Sequence, residues 1–407
     1  MTKLDEIKIT GVKAFTVYGE FPFKYEEYME ERHVSPIDIY PEYFKTGPRP
    51  TKKITKDIME ITGSFMEIST DAEISGLSPI YPRSWRIIKD SLSPIILGKD
   101  ALSIEKIWDQ MFRIQVNRGR KGETMIAISA VDNCLWDIIG KYRKEPIHRL
   151  LGGPVKEKIR AYASMNGHSL EPRLLSERAQ EMVDEGYTAQ KWFFRYGPSK
   201  GIKGVRKNIE LAKTFRDAVG YESDLMLDSW MSWSIPYTIR MAKKLERYEP
   251  SWIEEPLLPG LIDGYAEIRT NTDIPISGGE HEYTRWGFIQ HLKKKSLDIW
   301  QPDINWAGGV SEVKKICTLG SSVGIPVIIH SGNARMSSPI WFSQNFDTCP
   351  LAEYLVKHNA SYQYFYKNPL TPIKGYIQAP KDSGLGIELD ENALQKYATA
   401  PTVILKK

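Results

Sequence analysis

Apolar and polar positions follow two different patterns along the chain. In the first part, short apolar runs are separated by polar loops that contain proline. The stretches IKITGVKAFTV and GSFMEIST read as strands, and MEISTDAEISGLSP reads as a hairpin turning near Asp71. Between them lies FPFKYEEYMEERHVSPIDIYPEYFKTGPRP, a long segment without periodicity, which predicts a functional loop and a candidate lid. In MIAISAVDNCLWDIIGKY, Ile128, Val131, Leu135, Ile138 and Tyr142 fall at helical spacing. EPIHRLLGGP then breaks that helix.

From about residue 158 the second pattern begins. Apolar runs alternate with helical patterns such as PYTIRMAKKLERY, RWGFIQHLKKK and VSEVKKICTLGSSVG, which predicts parallel βα units. Neither GxGxxG nor GxxxxGK[ST] is present, and the Gly-Gly pairs at 152–153, 278–279 and 308–309 read as loop or strand-end punctuation. Six apolar runs each finish in a residue that can bind a metal or move a proton: Asp228, Glu254, Glu280, Asp303, His330 and Glu353. The intervals between them run from 23 to 27 residues, enough for one strand, one loop and one helix. Consecutive parallel strands of a βα barrel end on the same side, where such barrels build their active sites.

That placement gives the side chains a chemistry. Asp228, Glu254 and Glu280 come from three successive strand ends and would repel one another unless a cation lies between them. All-oxygen ligation selects a hard divalent ion, Mg²⁺ first. Any one of these acids could be a helix cap or a partner for a lysine; three at regular strand-end spacing favour the metal. Asp303 and His330 come from neighbouring strand ends, the arrangement in which a carboxylate orients an imidazole and leaves its other nitrogen to take a proton.

Composition adds exclusions. The chain has 407 residues, 41% of them hydrophobic and 26% charged, an ordinary globular balance with enough apolar material for a large core. A net charge of +4 without a basic cluster argues against a nucleic-acid partner, and the lysine runs TKKITK and HLKKKS read as solvated surface. No uncharged stretch reaches the length of a membrane span. The N-terminal MTKLDEIKITGVKAF carries charges where a signal peptide needs an apolar run. Three dispersed cysteines, Cys134, Cys317 and Cys349, have no metal spacing and suit a reducing cytoplasm.

The ordered set AISAVDNCLWDIIGK, PIHRLLGG, LMLDSWMS, WIEEP, SGGEH, DIWQPDINWAGG, VIIHSG and LAEYL resembles the enolase superfamily, in its mandelate-racemase-like acid-sugar dehydratase group, over nearly the whole chain. The resemblance implies a (β/α)₇β TIM-like barrel with an N-terminal α+β capping domain. Its expected divisions are 1–150 for the cap with its lid loop, 151–375 for the barrel, and 376–407 for a segment returning to the cap. It implies Mg²⁺ on Asp228, Glu254 and Glu280, the base on His330 with Asp303, and Glu353 holding the substrate carboxylate or its enolate form. Lys191 matches the first lysine of the family's second-strand KxK motif, where it would meet the carboxylate, whereas the second lysine position holds Phe193. A homo-oligomer acting on a small sugar acid is the family-level expectation.

Such a site would take the C2 proton of a sugar acid and expel the C3 hydroxyl. His281, next to Glu280, is a candidate substrate contact or second proton donor, and His33, in the early loop, a candidate substrate contact. Trp306 reads as pocket wall or core. The early loop departs from the family pattern, so the identity of the sugar acid stays open. A C2 racemase or epimerase and a non-catalytic sugar-acid-binding homologue are the competing readings.

Overall fold

The computed structural model describes residues 6–21, 28–45, 59–393, 396–399 and 403–404. Residues 22–27 and 46–50 of the candidate lid, and the lysine run at 51–56 with the two residues after it, lie outside the described residues.

Two sheets organise the chain. The first is antiparallel. Strand β1 (Ile9–Phe21) pairs along its length with β2 (Met59–Thr70), which turns at Asp71 into β3 (Ser75–Pro79), as the hairpin reading expects. Two short strands, Lys396–Thr399 and Val403–Ile404, return from the far end of the chain to pair with β1.

The second sheet is the barrel. Its parallel strands are β4 (Lys158–Ser164), β5 (Ala189–Phe193), β6 (Asp224–Asp228), β7 (Pro250–Glu254), β8 (Ile276–Gly278), β9 (Ile299–Trp300) and β10 (Ala352–Leu355), in the order β10-β4-β5-β6-β7-β8-β9. The run ending in His330 joins β9 through parallel bridges, Trp300 to Val327 and Asp303 to His330. Helices Ile235–Leu245, Thr284–Lys294 and Gly309–Ser321 fill the predicted helical stretches between strands. The architecture is the expected α/β class: a (β/α)₇β TIM-like barrel with an α+β cap.

One helix joins the two sheets. Glu123–Arg143 turns Ile128, Val131, Leu135 and Ile138 into the cap core with Met66 and Ile68. Its other side is polar yet buried, because it meets the barrel. Asp132 accepts hydrogen bonds from the backbone N–H and hydroxyl of Ser311 at 3.0 and 2.6 Å. Asn133 accepts from Val310 N of the barrel, while Asp137 ties the helix to the cap strand β3 and the C-terminal segment by accepting from Leu77 N and Leu385 N. Buried polar groups are tolerated only when paired in this way. Gly309 makes the approach possible: a Cβ there would lie 2.3 Å from an Asp132 carboxylate oxygen, and its φ is +83°. No described helix is long and apolar enough to cross a membrane.

Candidate active site

The strand ends converge as the spacing predicts. Asp228 and Glu254 close β6 and β7 and are register partners. Immediately after them the backbone turns through left-handed conformations at Trp230, Met231 and Glu255, with φ of +38°, +60° and +35°. Strain of this kind in non-glycine residues is concentrated at functional sites. Glu280 follows β8 by two residues, while Glu353 lies within β10 rather than at its end.

Lys191, on β5, is buried among carboxylates. Its Nζ lies 2.5 Å from Glu254 Oε1, 2.8 Å from Glu353 Oε1 and 3.6 Å from Asp228 Oδ2. Burial opposes its charge, but Glu254 and Glu353 outweigh burial and hold the ammonium well above its ordinary range. The second oxygen of Glu254 accepts from Trp252 Nε1 and Gln301 Nε2.

His330 forms a second centre. Its Nδ1 lies 2.8 Å from Asp303 Oδ2, and its Nε2 lies 3.3 Å from Glu280 and 3.9 Å from Glu353. Burial works against the imidazolium, but Glu280, Glu353 and Asp303 prevail and hold it well above the ordinary histidine range. His281 pairs with Glu255 at 2.6 Å and is pushed up to about 9: burial opposes its charge, and Glu255 and Glu280 outweigh it. It is not itself among the lining residues of the cavity, but its ring lies 5.6 Å from that of Trp306 and 5.9 Å from that of Trp230, which are.

The cavity measures about 460 Å³. Lys191, Phe193, Asp228, Glu280, Asp303, His330 and Glu353 form its reactive end, and cap residues from Thr62 to Phe65 and Pro79 to Pro82 cover it. His33 lines it too, with Nδ1 3.1 Å from Asn166 Oδ1 and its ring 4.4 Å from Trp230; burial holds it down to about 4. Trp306 is pocket wall, its ring 5.1 Å from that of His330.

The expected metal set is brought to one opening but not to one tight group. Among the described residues, only Glu255, Glu280 and His281 offer ligand atoms all within 4.8 Å of one another. Lys191 sits between Asp228 and Glu254. The donor chemistry nevertheless fits a hard cation. Asp228, Glu254, Glu255, Glu280, Asp303 and Glu353 are six buried carboxylates, facing among the described residues only Lys191, His281 and His330. Asp228 is raised well above the carboxylate range by burial and by Glu254, and Glu280 is raised to about 7 by burial. Both acids are short of positive charge, and their oxygens suit Mg²⁺.

Sequence reasoning missed several participants. Glu255, the second acid of WIEEP, has no role in the sequence pattern and gains one only through its 2.6 Å contact with His281. Arg195 lies two residues beyond the end of β5 and reaches the early loop, donating to Glu31 Oε1 at 3.0 Å and to Phe44 O. Tyr81, Asn166 and His358 carry no motif; only the fold brings them to the cavity.

Residues 174–393 match the family described as Enolase C-terminal domain-like, and residues 48–152 match the Mandelate racemase / muconate lactonizing enzyme, N-terminal domain. An L-rhamnonate dehydratase of Saccharopolyspora erythraea is 31% identical over 397 residues, covering 94% of this chain and 97% of the relative. The crystal structure of rhamnonate dehydratase from Gibberella zeae complexed with Mg superposes with a TM-score of 0.81 at 26% identity, covering 96% of each chain. The 3,6-anhydro-D-galactonate cycloisomerase of Zobellia galactanivorans superposes with a TM-score of 0.76 at 29% identity, covering 96% of this chain and all of that one.

Proposed function

The chain belongs to the enolase superfamily, and from that premise we propose that it is a Mg²⁺-dependent hydro-lyase that dehydrates an aldonic acid to a 2-keto-3-deoxy acid. The observation that carries the reading is the His330–Asp303 pair facing a cavity whose other groups are unsuited to a second base. Lys191 is held as a buried ammonium, Phe193 has no proton to exchange, and burial holds His33 and His358 down to about 4. The L-rhamnonate dehydratase relative and the Mg-bound rhamnonate dehydratase structure support the same reading.

The substrate carboxylate docks at the end where Lys191 and Glu353 converge. Asp303 fixes the imidazole through Nδ1, and Nε2 of His330 takes the C2 proton. The same imidazolium then returns its proton to the departing C3 hydroxyl, so both groups leave from one face. The enol product tautomerises to the keto acid. Bound by Asp228, Glu254 and Glu280, Mg²⁺ would supply positive charge against the dianion that develops at the carboxylate and would lower the basicity of His330 toward working pH.

The far end of the cavity favours a monoacid. Lys191 is the one lysine or arginine among its described lining residues, and it is committed to the reactive end. L-rhamnonate and related C5 and C6 aldonates are therefore the substrates to test before the diacids. The protein is incubated with these acids and Mg²⁺ in D₂O. Formation of a 2-keto-3-deoxy acid is the expected result. Recovery of the C2 epimer carrying solvent deuterium, without keto acid, overturns the dehydratase reading, and absence of any exchange or product overturns catalysis on these acids.

A further inference from the structure

The helix Val356–Tyr362 follows β10, the strand that carries Glu353, and sets His358, Ser361 and Tyr362 into the cavity wall. Nearly every polar side chain around His358 is committed. Lys357 Nζ donates to Glu30 at 3.1 Å and to Gly167 O at 2.9 Å. Asn359 accepts from Ala334 N at 2.7 Å and donates to Ser331 O at 3.3 Å. Ser361 Oγ lies 2.9 Å from the hydroxyl of Tyr28. This short helix is thus pinned on both sides of His358.

The His358 imidazole is the exception. Its Nδ1 is sealed from solvent and has no hydrogen-bond partner among the described residues. The ring is flanked by Tyr28 at 6.1 Å and Tyr362 at 6.0 Å between centroids, so its plane is held by packing rather than by hydrogen bonds. Burial first, and then the charge of His330, hold it down to about 4, so it is neutral at working pH. A neutral imidazole carries one N–H and one lone pair. An unfilled buried acceptor is tolerated better than an unfilled donor, which leaves the lone pair on Nδ1 and the N–H on Nε2, in a side chain that lines the cavity.

We propose that His358 is a substrate-recognition residue whose Nε2–H donates to a hydroxyl of the sugar acid beyond C3. This rests on the aldonate reading and deepens it: a rigid, uncharged donor reads a neutral polyol, while the carboxylate end is read by the Lys191 ammonium. His358 has no proton-transfer role.

The test compares the wild type with His358→Phe and His358→Gln on the C6 aldonate turned over best, and on its 4-deoxy and 5-deoxy analogues. For His358→Phe, a loss of about tenfold in kcat/KM on the full substrate is expected, as for one hydrogen bond. That loss should shrink to near unity on the one analogue that lacks the hydroxyl being read. The glutamine variant, which keeps a donor, should recover part of it. Far-UV circular dichroism and a melting curve check that both variants fold. An equal loss on every analogue, or none on any, overturns the proposal. If no acid is turned over, the same comparison is made by binding of L-rhamnonate and its analogues, read by fluorescence of the cavity tryptophans. Hydroxyl-dependent binding that responds to His358 then sustains the inference while the dehydratase reading falls, and binding indifferent to His358 overturns it.

Discussion

Asp303 and His330 are joined twice: their backbones form a parallel bridge, and Asp303 Oδ2 meets His330 Nδ1 at 2.8 Å. The sheet itself therefore sets the distance between them. The other Asp303 oxygen accepts from Asn305 N at 2.6 Å, which fixes the carboxylate plane. His330→Asn should lower kcat by at least ~10²–10⁴-fold, the usual cost of losing a general base, with the circular dichroism spectrum unchanged. Asp303→Asn should lower kcat with little change in KM. A His330 variant with near-normal turnover would place the base elsewhere.

Among the described residues, Lys191 is the only ammonium in contact with Asp228, Glu254 and Glu353. Removing one partner of a buried ion pair costs about 3–5 kcal/mol. Lys191→Met should therefore melt markedly lower than the wild type. Mg²⁺ should raise the melting temperature of both proteins, by mass action on the folded state, and the rise should be larger in the variant, where a divalent ion meets more uncompensated charge. Glu254→Gln should weaken Mg²⁺ binding in a calorimetric titration and abolish turnover, as excess EDTA should in the wild type. Full turnover in EDTA would remove the metal from the proposed mechanism.

The early loop is tied to the barrel by a buried charge network. Asp38, which is 2% exposed, contacts both Arg32 and Arg195, and its Oδ2 accepts from Ser35 N at 2.9 Å. Val34 N donates to Phe194 O at 2.7 Å, which brings the neighbouring His33 to the cavity. Asp38→Ala should leave the two arginines without their shared partner. KM should rise by roughly 10- to 100-fold, as the ~1.5–3 kcal/mol of one charge-assisted hydrogen bond implies, with a smaller change in kcat. Faster proteolytic nicking within residues 28–45 is the accompanying signal. Unchanged KM and nicking would show that the loop docks without this network.

The strand-end residues were legible because a βα barrel repeats: equal spacing in sequence becomes convergence in space. The hairpin at Asp71 and the helix holding Ile128 and Val131 were legible from local pattern alone. What escaped was set by contacts between distant segments. Nothing local distinguishes His358 from a surface histidine, and only the helix that follows β10 turns it inward. Lys191 was expected at the substrate carboxylate, but its carboxylate surroundings arise from three other strands. Asp132 reads as a stray polar residue in an apolar helix until Ser311, 179 residues away in sequence, is seen to meet it.

That last pair has a measurable pH signature. Asp132 is fully buried; burial raises its pKa to about 7, and the two hydrogen bonds from Ser311 only partly offset this. Its unfolded value is near 3.9. An acid with a raised folded pKa holds its proton more tightly when folded, so its contribution to stability is fully present below about pH 4 and is lost as pH rises toward 7. Asp132→Asn cannot ionise and lacks this slope. Buried neutral histidines such as His168 and His291, both held near 4 by burial, slope the other way, but they are common to both proteins and cancel in the difference. Between pH 5 and pH 8 the asparagine variant should therefore gain about 2–3 kcal/mol on the wild type in urea unfolding. Curves that stay parallel across that range would show that Asp132 ionises in the folded protein as easily as in the unfolded chain, and that its bonds to Ser311 fully compensate its burial.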